Sequence, residues 1–146
     1  MLQLECLPQF EAQLDTDYLE MLANQVLSGE GLAQPVDLSL TITDDRGIRA
    51  INRDFRGVDA ATDVLSFSLL AASEESFVPP PDGILHLGDI IISLERAAAQ
   101  ASDMGHTTRQ EVGELFVHGL LHILGYNHED EAGAAVMAEK AEEYAA

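Results

Sequence analysis

The chain has one cysteine, no tryptophan and only seven lysines and arginines among its 146 residues. The lone Cys6 cannot close an internal disulfide, so the fold must rest on its core. With 47% hydrophobic residues, a chain of this size buries roughly 70% of its unfolded surface and needs no covalent staple or structural metal to fold. Acidic residues number 26, leaving a net charge of −19. That balance excludes a general nucleic-acid coat and a polybasic membrane binder, because both release counterions from an anionic surface. No segment approaches the roughly 18 to 20 consecutive apolar residues of a membrane span, and no repeat of a solenoid or propeller is present. The first residues hold no basic cluster ahead of an apolar run and do not read as a secretory signal. The expected protein is a single domain over residues 1–146, without a membrane, in the reducing cytoplasm.

What is present alternates in type. Residues 2–6 alternate as a short strand, and Asp15 or Thr16 is placed to cap a helix carrying Leu19, Leu22, Ala23 and Val26 on one face, ended at Gly29 and Gly31. Residues 36–43 alternate at period two and form the clearest strand; Asp44 and Asp45 then open a helix to about Phe55. Residues 64–69 and 85–92 read as further strands. Between them, residues 71–83 include three consecutive prolines, which donate nothing to a sheet ladder, so an extended, mobile connection is expected. Ser93 caps a helix to about Met104, a longer helix runs from Thr108 to about Leu124, and a last acidic helix spans about 129–144. The predicted fold is α+β, a small mixed sheet packed against several helices.

Chemistry concentrates in the run from His118 to His128. Residues four apart on a helix lie about 40° and one turn apart, so His118 and His122 offer two imidazoles to one ion. Gly125 stands where a helix end favours a left-handed residue, and a turn there would return His128 as a third ligand. Three imidazoles leave a tetrahedral zinc one open position, the arrangement of a catalytic site. This spacing matches the metal frame of metzincin peptidases, yet their general-base glutamate is replaced by Gly119, so ordinary peptidase chemistry is not expected.

The His118–His128 run resembles the YbeY family of bacterial endoribonucleases, together with Asn52-Arg-Asp-Phe-Arg56-Gly, Thr62-Asp-Val-Leu-Ser-Phe67 and Leu87-Gly-Asp-Ile90. The resemblance covers roughly residues 40–140. It implies a zinc-dependent endonuclease for single-stranded RNA, acting in 16S ribosomal RNA 3′-end maturation and ribosome quality control. It assigns the metal to His118, His122 and His128, one ion per chain, and a functional role to Arg56; the implied partners are ribosomal RNA and the ribosome or its associated proteins. One departure is visible: Asn127 stands where the family has aspartate, which keeps an acceptor and loses a charge.

Arg46, Arg49, Arg53 and Arg56 hold four of the seven basic residues within eleven positions. Composition alone favours pairing of these arginines with Asp44, Asp45 and Asp54; the resemblance sets Arg56 apart as a phosphate ligand. Glu111 is open to hydrogen-bonding a metal ligand, to binding substrate, or to a solvated or capping role, His86 and His106 have no partner at ligand spacing and read as structural, and Asp89 reads as architectural. The expected chemistry is a zinc ion that acts as Lewis acid on a phosphoryl oxygen, generates hydroxide from its bound water, or does both, with Arg56 offsetting charge on phosphorus, and no general base is identifiable. The alternative is a non-catalytic, metal-stabilised ribosome assembly factor, which the charge of −19 suits. A peptidase with a displaced base is the weaker third reading.

Overall fold

The structure is a computed structural model that describes residues 2–32, 35–69, 84–125, 139–140 and 144. Its strands are β1 (Leu2–Cys6), β2 (Val36–Thr43), β3 (Val64–Ser68) and β4 (Leu85–Ser93). Its helices are α1 (Thr16–Gly29), α2 (Asp45–Arg56), α3 (Leu94–Met104) and α4 (Thr108–Ile123). The sheet order is β1-β2-β4-β3, with β1, β2 and β4 parallel and the edge strand β3 antiparallel to β4. The mixed α+β architecture expected from the sequence is the one formed.

Caps explain the helix starts. The side chains of Asp15, Asp44, Ser93 and Thr107 accept from backbone N–H groups of the first turns of α1 to α4, each satisfying a donor the helix itself leaves open. A 3-10 helix at Pro8–Gln13, started by its proline, is absent from the sequence reading because its apolar residues follow neither period. The predicted connection 71–83 and most of the last helix fall outside the described residues; Glu139, Lys140 and Tyr144 from that helix are helical.

Alternation along the strands divides the core. Leu38, Leu40, Ile42, Ile90 and Ile92 face α1, α3 and α4 in the main cluster, which is closed by Leu19, Leu22, Val26, Phe116 and Leu120. The opposite face carries a smaller cluster of Leu65 and Ile91 beneath Ile48 of α2, with Ile51 and Phe67 packed against it. α2 and α4 therefore lie on opposite faces of the sheet, both beside β3.

Two glycines let the layers close up. Gly88 has φ +140° where β4 bulges against β2, and a Cβ there would fall on the Phe67 carbonyl oxygen of β3. Gly119 is buried in α4, and a Cβ on it would stand 3.1 Å from Ile90 Cγ2 of β4. Position 119 thus faces the sheet, where a glutamate side chain would meet Ile90.

Candidate functional site

The site forms where β3 ends. His118 and His122 occupy the last turns of α4, half-buried and exposed respectively. The helix stops at Leu124, and Gly125 follows with φ +110°, a conformation that side chains with a Cβ rarely adopt. The expected left-handed break is present. His128 and Asn127 lie outside the described residues, so the third imidazole is not placed. Neutral imidazole nitrogens one turn apart suit zinc and other borderline divalent ions, so the donor set present fits the metal that the sequence reading assigns to it.

The end of α2 that carries Arg56 meets β3 on the other face of the sheet. Two consecutive residues of β3 make the link. The Phe67 ring meets the Phe55 ring at 5.8 Å between centroids, next to Arg56. Ser68 Oγ donates to the Ile123 carbonyl at 3.0 Å, next to His122. Adjacent Cα atoms are about 3.8 Å apart, so the arginine motif and the histidine helix flank one short segment of an edge strand.

The arginines divide as sequence alone did not foresee in detail. Arg49 grips Asp59 through Nε and one terminal nitrogen, at 2.8 and 3.3 Å, and Arg53 pairs with its neighbour Asp54 at 3.1 Å. The hydrogen bond from Arg49 holds the Asp59 carboxyl below the usual carboxylate range. Asp44 is a cap instead, and Asp45 accepts from Ser93 Oγ and faces Arg96. Arg56, exposed at the end of α2, has no ion pair among the described residues. Buried Asn52 donates to the Ala60 carbonyl at 2.9 Å, and with Arg49–Asp59 it fastens the chain after Arg56 back onto α2.

Four other expectations are settled by packing. His106 does have a partner: its Nε2 lies 3.1 Å from Glu111 Oε2, because the turn before α4 folds back on the helix. Glu111 is buried, 5% exposed, at the start of α4 and serves His106, so neither a capping nor a solvated role holds. His86 pairs with Asp37 at 3.4 Å. Asp89 is exposed, opposite Phe67 on β3, so it has no buried charge to satisfy.

Sequence reasoning also missed a second donor cluster. His106, Glu111 and Glu114 place ligand atoms within 4.8 Å of one another, a group able to hold a metal ion. It stands roughly 16 Å along the α4 axis from His122, and the nearby Arg109 is engaged by Asp15 at 2.9 Å. Burial, then Glu11, pushes the Cys6 thiol up, which does not favour a thiolate nucleophile. An open hollow of about 840 Å³ lies against α1, lined by Asp17, Glu20 and Tyr144 among others; its acidic walls repel an anionic substrate.

Comparison with known proteins agrees with this geometry. The family model described as endoribonuclease YbeY matches residues 7–146. The endoribonuclease YbeY of Roseiflexus castenholzii is 44% identical over 129 residues, covering 88% of this chain and 80% of that protein. That of Geobacillus thermodenitrificans is 43% identical over 137 residues, covering 90% and 83%. The solution structure of TM1509 from Thermotoga maritima superposes with a TM-score of 0.67 at 25% identity, over 99% of this chain and 87% of that one. With the match running through Arg56, β3 and the α4 histidines alike, the chain belongs to the endoribonuclease YbeY family.

Proposed function

We propose that this protein is a zinc-dependent endonuclease of single-stranded RNA, acting in 16S ribosomal RNA 3′-end maturation and ribosome quality control. The observation that supports the reading is the β3 edge, where Phe67 meets Phe55, the residue before Arg56, and Ser68 Oγ donates to the Ile123 carbonyl next to His122. His118, His122 and His128 would hold the ion. When bound, it supplies Lewis-acid polarisation of a phosphoryl oxygen and an acidified water. Arg56 binds the scissile or a neighbouring phosphate through its planar fork and offsets the charge gained as phosphorus becomes five-coordinate.

The histidine pair is preferred over His106, Glu111 and Glu114 as the metal holder because Glu111 is buried against His106 and the nearby Arg109 is engaged by Asp15. The net charge of −19 favours a second reading, a metal-stabilised assembly factor whose partners are ribosomal proteins. Incubating metal-loaded and chelated protein with single- and double-stranded RNA decides between them, with His118→Ala purified identically to exclude a contaminating nuclease. Cleavage of single strands that needs both metal and His118 is expected. No cleavage by any form, on RNA or on ribosomes, removes the catalytic reading.

A further inference from the structure

Phe55 has the highest exposure of the large apolar side chains among the described residues, at 75%. A single exposed apolar group is ordinary on a protein surface. Phe55 differs in what surrounds it. The Phe67 ring lies against it at an interplanar angle of 60°, and Phe67 itself packs on Ile48, Leu65 and Ile91, so the core supports one side of the ring. The next residue, Arg56, is a cation without an ion pair among the described residues, although acidic side chains neutralise Arg49 and Arg53 on the same helix.

An exposed aromatic ring on the residue before a guanidinium that has no ion pair among the described residues complements a ligand that is flat and apolar in one part and anionic in another. Nucleotides have that shape, whereas an apolar protein side chain leaves the cation unused. We infer that Phe55 is a stacking platform for an unpaired base of single-stranded RNA whose phosphate Arg56 holds. The inference rests on the endoribonuclease reading and deepens it. Base faces are hidden inside a duplex and open in a single strand, so the platform gives the enzyme a physical means of preferring single strands.

The test uses full-length metal-loaded protein and a cleavage-resistant 2′-O-methyl phosphorothioate oligonucleotide containing 2-aminopurine. Stacking is read as quenching of the probe, and affinity as fluorescence anisotropy. Phe55→Leu, which keeps an apolar group over Phe67 but no aromatic face, is expected to bind about tenfold more weakly or worse and to lose the quenching, with an unchanged melting temperature. Phe55→Trp is expected to retain both signals. Equal binding and quenching by Phe55→Leu overturns the platform, and so does wild-type protein that binds an abasic oligonucleotide as tightly as one carrying bases. That last arm needs no variant to fold. Wild-type cleavage of RNA with no loss in Phe55→Leu removes the platform alone, whereas wild-type protein that neither binds nor cleaves RNA removes the enzymatic reading with it.

Discussion

Replacing Gly119 by glutamate restores, in sequence, the general base of a zinc peptidase, and the structure says the change will damage the fold instead. A Cβ at this position stands 3.1 Å from Ile90 Cγ2, inside the 3.5 to 4.0 Å optimum for carbon contacts. Ile90 is fully buried in the main cluster and lies between Leu40 and Ser66 in the sheet, so it has little room to yield. For Gly119→Ala, about 1 kcal/mol of helix propensity is gained, and overpacking costs about 1 to 3 kcal/mol. The net change should fall between roughly zero and 2 kcal/mol of destabilisation. Glutamate adds a carboxylate in an apolar interface, where the effective penalty is several kcal/mol unless it finds a partner. A total loss of at least about 3 kcal/mol follows, which lowers the melting temperature of a chain this size by roughly 6 to 12 °C or more. Thermal unfolding by circular dichroism at fixed metal concentration measures both variants. A Gly119→Glu protein that melts with the wild type, or that gains peptide hydrolysis, would refute the placement of residue 119 against the sheet.

Elemental analysis after dialysis should find about one zinc per chain, lost in His122→Ala and kept in Glu111→Gln; the reverse pattern would move the ion to the His106, Glu111, Glu114 group. Arg56→Ala should keep metal and melting temperature but lose RNA cleavage by about ten to a thousandfold, and Arg56→Lys should recover only part because lysine lacks the fork; wild-type turnover by Arg56→Ala would remove it from the mechanism. Gly88→Ala should loosen β3 from β4, since its Cβ falls on the Phe67 carbonyl oxygen and its φ of +140° suits glycine, and it should cost RNA cleavage together with stability; a variant as stable as the wild type speaks against the close approach. The Tyr18 backbone N–H, then Arg109, holds the Asp15 carboxyl below its usual range, so its stabilisation is present above about pH 4 and is lost as pH falls through the lowered value; Asp15→Asn should therefore flatten part of the acid limb of a stability–pH curve, and an identical curve would contradict the clamp.

Local chemistry made the elements legible. Leu19, Leu22, Ala23 and Val26 are the buried face of α1, and β2 occupies residues 36–43 as its alternation indicates, because helix and strand periods are written within a few neighbouring positions. Asp44 and Ser93 cap their helices because a cap reaches only two or three residues ahead. The histidine pair and Gly125 were readable for the same reason: a helical turn brings positions 118 and 122 together, and a glycine marks the break. Tertiary structure decided which groups are left over. Whether an arginine is spent depends on what folds beside it, so Arg49 is taken by Asp59 across a turn while Arg56 has no ion pair among the described residues. Glu111 is claimed by His106, and Gly119 is fixed by the closeness of Ile90 from another element. The corner itself joins Phe55, Phe67, Ser68 and Ile123, residues up to 68 positions apart in the chain. No periodicity or spacing records such proximity, because it arises only when α2 and α4 pack on opposite faces of one sheet and meet at its edge strand.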